Sequence, residues 1–388
     1  MVQTKAATSS GRLILAAILA IFVYGMIAAM LGTVMPTLPL DTSQKASVAL
    51  AQAIGLIIAS VSAGPIIDNK GKKLALLSGL ALVTIALLVL PSVFSFGPIV
   101  LAFLLLGLGG GIIVTAANAL VSDINEERRS STLNFLNLFF GLGGLATPFV
   151  AANLLRGNNT ALLYTGAALT LITLVVNAVA PIPPPSGERG FKASEAGVVL
   201  GRPALWLLSL FMFLYVACEV GVWNWLANYL EARGLDHSMA LNILSLGFAL
   251  GLLIGRVVVS RILIRVAAPT VTLFASIFMT LTTFLMLRAS SPTMAWTAVF
   301  CAGLAMAPVF PTTLGMVGDA FPRMTATAMG IVITFGWIGL AVSSPIIGAL
   351  SGGAVTNLGS ALLVIPGASA LMILVNLALR PTLRASGN

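Results

Sequence analysis

One acidic residue, Glu219, lies inside a long apolar stretch of the chain, residues 214–223. The other Asp and Glu residues fall at or near predicted loops. An ionisable side chain in an apolar environment costs free energy, and it persists only where it is neutralised, paired or used. Because burial disfavours the anion, Glu219 is a candidate to take up and release a proton or another cation.

The residues that follow Glu219 carry groups suited to binding a polyol-like solute. On a helix, Trp223 shares a face with Glu219, and Asn224 lies within the following part-turn. A carboxylate, an amide and an indole ring offer hydrogen bonds to hydroxyl groups and a flat apolar surface. We therefore predict substrate contacts from Trp223, Asn224 and, in a later apolar segment, Trp337. The alternatives are an interfacial aromatic belt for Trp223 and core packing for Trp337.

The composition indicates the elements that position these side chains. The chain has 388 residues, of which 59% are hydrophobic and 8% are charged, whereas about a quarter of the residues in soluble domains are charged. About twelve apolar segments are each long enough to cross a bilayer as a helix. The sequence predicts an all-α integral membrane protein in a lipid bilayer. The predicted spans lie near 13–38, 48–67, 74–94, 98–121, 131–155, 161–182, 204–230, 239–260, 268–288, 293–318, 325–351 and 359–379.

The net charge of +9 follows from membrane topology rather than from a nucleic-acid partner. If the N-terminus is cytoplasmic, all the Lys and Arg residues except Lys45, Arg156, Arg233 and Arg288 lie on the cytoplasmic side. This bias is the positive-inside rule. It predicts a multi-pass protein of the inner or plasma membrane with both termini in the cytoplasm.

The chain divides into two similar halves. A proline-rich, charged linker, residues 183–203, is predicted to separate six spans in residues 1–182 from six spans in residues 204–388. The glycine-rich segment 140–145 reappears as 335–340, which indicates a duplicated six-helix unit. Parallel repeats of this kind place a substrate site near the midplane between the halves and give alternating access.

The loop after the second predicted span, residues 64–73, resembles the cytoplasmic signature of the major facilitator superfamily. That resemblance implies a fold of two six-helix bundles and a conformational latch formed by Asp68, Gly71 and Lys72. A carboxylate close to the start of another helix is stabilised by the helix dipole. The alternative is a turn whose charges set topology, and the corresponding loop of the second half, residues 256–265, is degenerate.

Three further stretches, residues 134–143, 215–221 and 307–311, look like the fucose–galactose–glucose symporter branch and its sodium-dependent glucose transporter relatives. That resemblance implies sugar contacts from three amides in the first half: Asn118, Asn134 and Asn137. Interhelical hydrogen bonding is the alternative role for these amides. The chain lacks the acid that fucose-type members carry in the first span and has an amide at position 118, so a relay of two carboxylates is in doubt.

Several kinds of chemistry are disfavoured. The only histidine, His237, lies in a predicted outer loop, which leaves no His-based catalytic triad and no metal site built on histidines. No Walker-type loop is present, which argues against ATP-driven pumping by this chain alone. We expect neither an enzyme nor a cofactor. No Lys or Arg is predicted at mid-depth of a span, which argues against organic anions as substrates.

The leading interpretation is a secondary active transporter, expected to be a monomer, that moves a neutral sugar or polyol by symport with a proton or sodium ion. Glu219 is the predicted cation-coupling residue. One alternative is proton-coupled efflux of drugs or metabolites, in which a membrane acid and methionine-lined spans bind a lipophilic cation. Another is a receptor or scaffold that binds ligand without transporting it.

Overall fold

The computed structural model describes residues 2–184, 193–352 and 355–386, and the described residues form helices and no β-strand. Within them, eleven helical stretches are long and apolar enough to cross a membrane. In a bilayer, only a structure that satisfies its own backbone hydrogen bonds can span, and a helix does so within one segment. The predicted all-α membrane architecture is confirmed. Part of the predicted linker, residues 185–192, lies outside the described residues.

The described residues of the first half of the chain form six α-helices. They are α1 Val2–Val34, α2 Thr42–Lys70, α3 Lys72–Val89, α4 Phe96–Ile124, α5 Arg129–Phe149 and α6 Asn159–Val179. Helix α5 corresponds to the span predicted near 131–155 and continues as a π-helical turn over Val150–Leu154. It is not among the eleven apolar stretches, because side chains such as Asn134 and Asn137 lower its hydropathy.

Where the structure describes the second half, it contains ten α-helices, and some consecutive helices together make up a single candidate span. They are α7 Ala193–Leu200, α8 Pro203–Ala232, α9 His237–Asn242, α10 Leu250–Ile262, α11 Ala268–Arg288, α12 Pro292–Met306, α13 Val309–Ala320, α14 Thr325–Ser351, α15 Leu358–Ala361 and α16 Val364–Ser386. A π-helical segment, Ile243–Ala249, connects α9 with α10. Helices α12 and α13 form one span that is interrupted at Pro308, where the missing N–H breaks the helical ladder.

The helices group into two compact units. The first comprises Met1–Arg129, Leu136–Val199 and Phe321–Thr334; the second comprises Ser130–Phe135, Leu200–Ala320 and Phe335–Asn388. Each unit therefore contains one short segment from the other half of the sequence. Helix α14 starts in the first unit and continues in the second.

Glycines permit close helix packing within each unit. In the first unit, a Cβ atom at Gly55 of α2 would lie 2.6 Å from the carbonyl oxygen of Leu104 in α4, and one at Gly107 would overlap the carbonyl oxygen of Gln52. In the second unit, a Cβ atom at Gly251 of α10 would overlap the carbonyl oxygen of Phe300 in α12. Contacts between small residues of this kind let backbones approach without a side chain between them, which stabilises helix pairs in lipid.

Candidate functional site

Glu219 lies near the middle of α8, half-buried within a membrane-spanning helix. Tyr215, one turn earlier on the same helix, is fully buried. Its hydroxyl group is close to the Glu219 carboxyl group, although the two do not meet the geometry of a hydrogen bond, and it also lies within electrostatic range of the Arg256 guanidinium. These three residues of the second unit, Tyr215, Glu219 and Arg256, are called the Glu219 cluster.

Arg256 was predicted at the start of a cytoplasmic loop, residues 256–265, and the structure corrects this position. Helix α10 continues to Ile262, so Arg256 belongs to the helix rather than to a cytoplasmic loop, and the residue is 5% exposed. It lies about two turns before the end of its span. The loop was predicted wrongly because helix ends are hard to place from sequence. Arg256 is not at mid-depth of the span, so the prediction that no Lys or Arg lies there is not contradicted.

Helix α14 packs directly against α8 beside Glu219. The Ser343 hydroxyl donates a hydrogen bond of 2.6 Å to the carbonyl oxygen of Ala217. A Cβ atom at Gly339 would overlap the carbonyl oxygen of Phe213. These two contacts fix the α8 backbone in the turns that precede Glu219. The sequence signal was the repeated glycine segment at 335–340, although Ser343 itself was not predicted.

The aromatic and amide groups predicted beyond Glu219 lie on the more accessible part of α8. The Trp223 side chain is 37% exposed and packs edge-on against Phe248, with ring centroids 5.2 Å apart. Asn224 is exposed and donates a hydrogen bond of 2.8 Å from Nδ2 to the Ser344 hydroxyl. Both side chains follow Glu219 by about one turn, and their contact with substrate stays a prediction.

Trp337 lies in α14 and is 8% exposed. Its neighbour Gly336 faces Met212 of α8, whose Cγ atom would lie 3.2 Å from an added Cβ atom. This environment is the one expected of the core-packing alternative. A substrate contact from Trp337 stays a prediction.

Two of the three amides assigned from the family resemblance contact each other in the first unit. Asn137 of α5 donates a hydrogen bond of 2.8 Å from Nδ2 to Oδ1 of Asn118 in α4. The Nδ2 atom of Asn118 donates to the carbonyl oxygen of Val114 at 2.7 Å. Both asparagines are buried. This arrangement matches the interhelical hydrogen bonding that was the alternative to sugar contact.

The third amide, Asn134, is placed differently. It belongs to the second unit, where its Nδ2 atom donates to the Thr312 hydroxyl and to the carbonyl oxygen of Ser130, both at 2.9 Å. Its Oδ1 atom is buried and receives no hydrogen bond from the described residues. A buried acceptor that receives no hydrogen bond costs free energy, because it has lost its hydrogen bonds to water. Of the three amides, Asn134 retains the clearest capacity to bind a hydroxyl group. Thr312 was not singled out from the sequence.

Asp68, near the end of α2, contacts the first turn of α14 within the first unit. Its Oδ2 atom accepts hydrogen bonds from the backbone N–H of Thr327 at 2.8 Å and from the Thr327 hydroxyl at 2.6 Å. Its Oδ1 atom accepts from the backbone N–H of Ala326 at 3.3 Å. An anion at a helix N-terminus is stabilised by free N–H donors and by the helix dipole. Gly64 allows this approach, since an added Cβ atom would lie 2.6 Å from the carbonyl oxygen of Ala326.

The other two residues of the predicted latch hold the loop in place. Gly71 ends α2 with a φ of 93°, a conformation that favours glycine. Lys72 begins α3 and forms an ion pair of 2.8 Å with Asp123 at the end of α4. The contacts to Thr327 and Asp123 were not predicted, because a motif identifies one partner of a contact and not the other.

Comparisons with known proteins agree with this architecture. The sequence profile of the Major Facilitator Superfamily matches residues 13–344. The solved structure of the Escherichia coli fucose:proton symporter FucP superposes with a TM-score of 0.83 at 16% identity, covering 96% of this chain and 99% of that one.

Two curated bacterial proteins are related in sequence over parts of their length. The glucose/mannose transporter GlcP of Bacillus subtilis is 24% identical over 265 residues, which are 64% of each chain. The 4-hydroxybenzoate transporter PcaK of Pseudomonas aeruginosa is 33% identical over 175 residues, which are 42% of this chain and 38% of that protein. The match thus spans less than two thirds of each of these two relatives.

Proposed function

We propose that this chain, which belongs to the major facilitator superfamily, is a symporter that moves a neutral sugar or polyol together with a proton or sodium ion. Membership of that family makes the chain a multi-pass membrane transporter and not an enzyme. The observation that carries the proposal of cation coupling is the half-buried Glu219 in the middle of α8.

The position of Glu219 supports coupling, because a carboxylate removed from water is costly unless a positive charge or a proton compensates it. The transported cation would supply that compensation. The buried Arg256, whose charge reaches the neighbouring Tyr215, would influence how strongly Glu219 holds the cation. Coupling requires that cation and substrate stabilise the same conformation of the transporter.

The proposal of a neutral sugar rests on groups on α8 and α5. Trp223 offers a partly accessible ring one turn from Glu219, and Asn134 offers a buried amide oxygen. Rings and amides are the groups that recognise hydroxyl-rich solutes. The names of FucP and GlcP, which specify fucose and glucose or mannose, favour the same class of solute.

Transport in proteoliposomes tests the proposal. Purified protein is reconstituted, and uptake of radiolabelled fucose, glucose and mannose is measured under a proton gradient, under a sodium gradient and without a gradient. We expect accumulation of at least one sugar above equilibrium under one gradient, and counterflow without a gradient. Empty liposomes are the control. Binding without counterflow would indicate a receptor, and outward exchange of a lipophilic cation for protons would indicate an efflux antiporter; either result contradicts the proposal.

A second candidate function is uptake of an organic anion, and Arg256 is the observation that favours it. A buried guanidinium within a span is the group that a carboxylate substrate requires, since it pairs with carboxylates through two parallel hydrogen bonds. The similarity to PcaK, whose name specifies 4-hydroxybenzoate, points to the same class of solute.

Replacing Arg256 by Gln separates the two candidates. If the substrate is a sugar, the variant is expected to retain sugar binding and exchange within about threefold while gradient-driven accumulation falls about tenfold or more, because only a positive charge near Tyr215 and Glu219 has been removed. If the substrate is an organic anion, the variant is expected to lose binding by about tenfold to a hundredfold. Ligand-induced shifts in melting temperature with glucose and with 4-hydroxybenzoate provide the measurement.

Arg261→Gln is the matched control, since Arg261 lies on the same helix and is exposed. Arg256→Lys keeps the charge and is expected to retain part of the activity. Unchanged accumulation and unchanged ligand binding in Arg256→Gln would show that Arg256 serves neither function.

A further inference from the structure

A cavity of about 250 Å³ lies in the second unit, away from the Glu219 cluster. It is formed where α8 ends at Ala232, where α11 ends at Arg288 and where the short helix α15 begins at Leu358. Helices α8 and α11 are both candidate membrane spans. The ends of membrane-spanning helices lie near the lipid headgroups, so the cavity is expected at that level.

Two arginines give this cavity a positive charge. Arg233 and Arg288 both line it, and none of the described residues that line it carries a carboxylate. Both arginine side chains are exposed, and the hydroxyl groups of Thr356 and Ser360 also line the cavity. Guanidinium groups bind phosphate oxygens through paired hydrogen bonds, and hydroxyl groups add further donors. The lining is thus suited to a phosphate group.

Each guanidinium is held at the cavity by one contact that leaves other donors free. Arg233 donates from Nη2 to the carbonyl oxygen of Ala289 at 3.3 Å. The Arg288 guanidinium carbon lies 5.4 Å from the centroid of the Phe284 ring, in a cation–π contact. A guanidinium has five N–H donors, so neither contact uses its full binding capacity.

The remaining lining favours a lipid over a free ion. Leu287 and the partly exposed Leu363 form an apolar part of the wall next to the charged part. A lipid has a matching arrangement, because its phosphate group lies in the headgroup region and its apolar acyl chains begin next to it. A free phosphate would use only the charged part.

We propose that this cavity binds the phosphate group of an anionic membrane lipid, with Arg233 and Arg288 as the principal contacts. The described lining of this cavity includes none of the predicted substrate contacts, and the proposal does not depend on which solute the protein carries. Binding of the lipid stabilises the folded protein, since a ligand that binds only the native state raises its apparent melting temperature.

The test compares three probes on purified full-length protein in detergent: short-chain phosphatidylglycerol, short-chain phosphatidylcholine and inorganic phosphate. We expect phosphatidylglycerol to raise the melting temperature in a saturable manner and the other two to have at most a tenth of that potency. In the double variant Arg233→Gln with Arg288→Gln, the apparent affinity for phosphatidylglycerol is expected to fall by about tenfold or more.

Arg156→Gln is the matched control, because Arg156 is also exposed and is predicted on the same membrane side, but lies in the first unit. Retention of phosphatidylglycerol in native mass spectrometry gives a second readout that does not depend on melting. Equal stabilisation by phosphatidylcholine, or full affinity in the double variant, would overturn the proposal. Equal potency of inorganic phosphate would assign the cavity to a free phosphate and overturn the lipid assignment.

Discussion

Replacing Glu219 by Gln is expected to abolish cation-driven accumulation of the substrate while leaving substrate exchange across the membrane largely intact. Gln has nearly the same size as Glu and keeps the hydrogen-bonding capacity of the position, but it neither binds a proton nor attracts a cation. The carrier would then cycle as if the coupling cation were permanently bound. We expect the accumulation ratio to fall to about one and counterflow to stay within about threefold of wild type, as measured with radiolabelled substrate in proteoliposomes.

Glu231→Gln serves as the control, because Glu231 is a carboxylate at the end of the same helix. Thermal unfolding of each variant shows whether the fold is retained. If Glu219→Gln still accumulates its substrate against a gradient, Glu219 is not the coupling residue. Loss of exchange together with accumulation, in a folded protein, would instead place Glu219 among the essential substrate contacts.

Replacing Asp68 by Asn is expected to slow transport about tenfold to a hundredfold. The carboxylate accepts three hydrogen bonds at the start of α14, two of them from Thr327. An amide can accept at only one atom, and its N–H groups would face donors. Hydrogen bonds to a charged group contribute about 1.5–3 kcal/mol. If one conformation in the cycle has this contact and another lacks it, losing about 1.4–2.8 kcal/mol changes their ratio by about tenfold to a hundredfold.

The initial rate of exchange in proteoliposomes measures this effect. Asp41→Asn is the matched control, since Asp41 caps the other end of α2 by accepting a hydrogen bond of 2.8 Å from the Gln44 backbone and has no contact with α14 among the described hydrogen bonds. Equal rates in the two variants would show that Asp68 stabilises a helix end but does not control the rate of transport. Thr327→Val removes one donor and is expected to have an intermediate effect.

The sequence alone predicted the helices and the unusual groups, because both depend on local chemistry. Apolar segments of membrane-spanning length are visible one at a time, and Glu219 is conspicuous because its neighbours are apolar. The loop at residues 64–73 could be recognised by its resemblance to a family signature, and one glycine of that signature, Gly71, has a positive φ in the structure.

The partners of these groups could not be predicted, because they depend on packing between distant segments. Thr312 meets Asn134, and Thr327 meets Asp68, only after the chain has folded. Threonines are common in membrane helices, so neither residue stands out. Arg256 was misplaced because helix ends are the least certain part of a sequence-based assignment.

Helix α14 takes part in both compact units, with a hydroxyl group in each. In the first unit the Thr327 hydroxyl donates to Asp68, and in the second the Ser343 hydroxyl donates to the backbone of α8 just before Glu219. Substitutions along this one helix can therefore affect either contact. Thr327→Val removes a donor to Asp68, whereas Ser343→Ala removes the donor beside the predicted coupling residue.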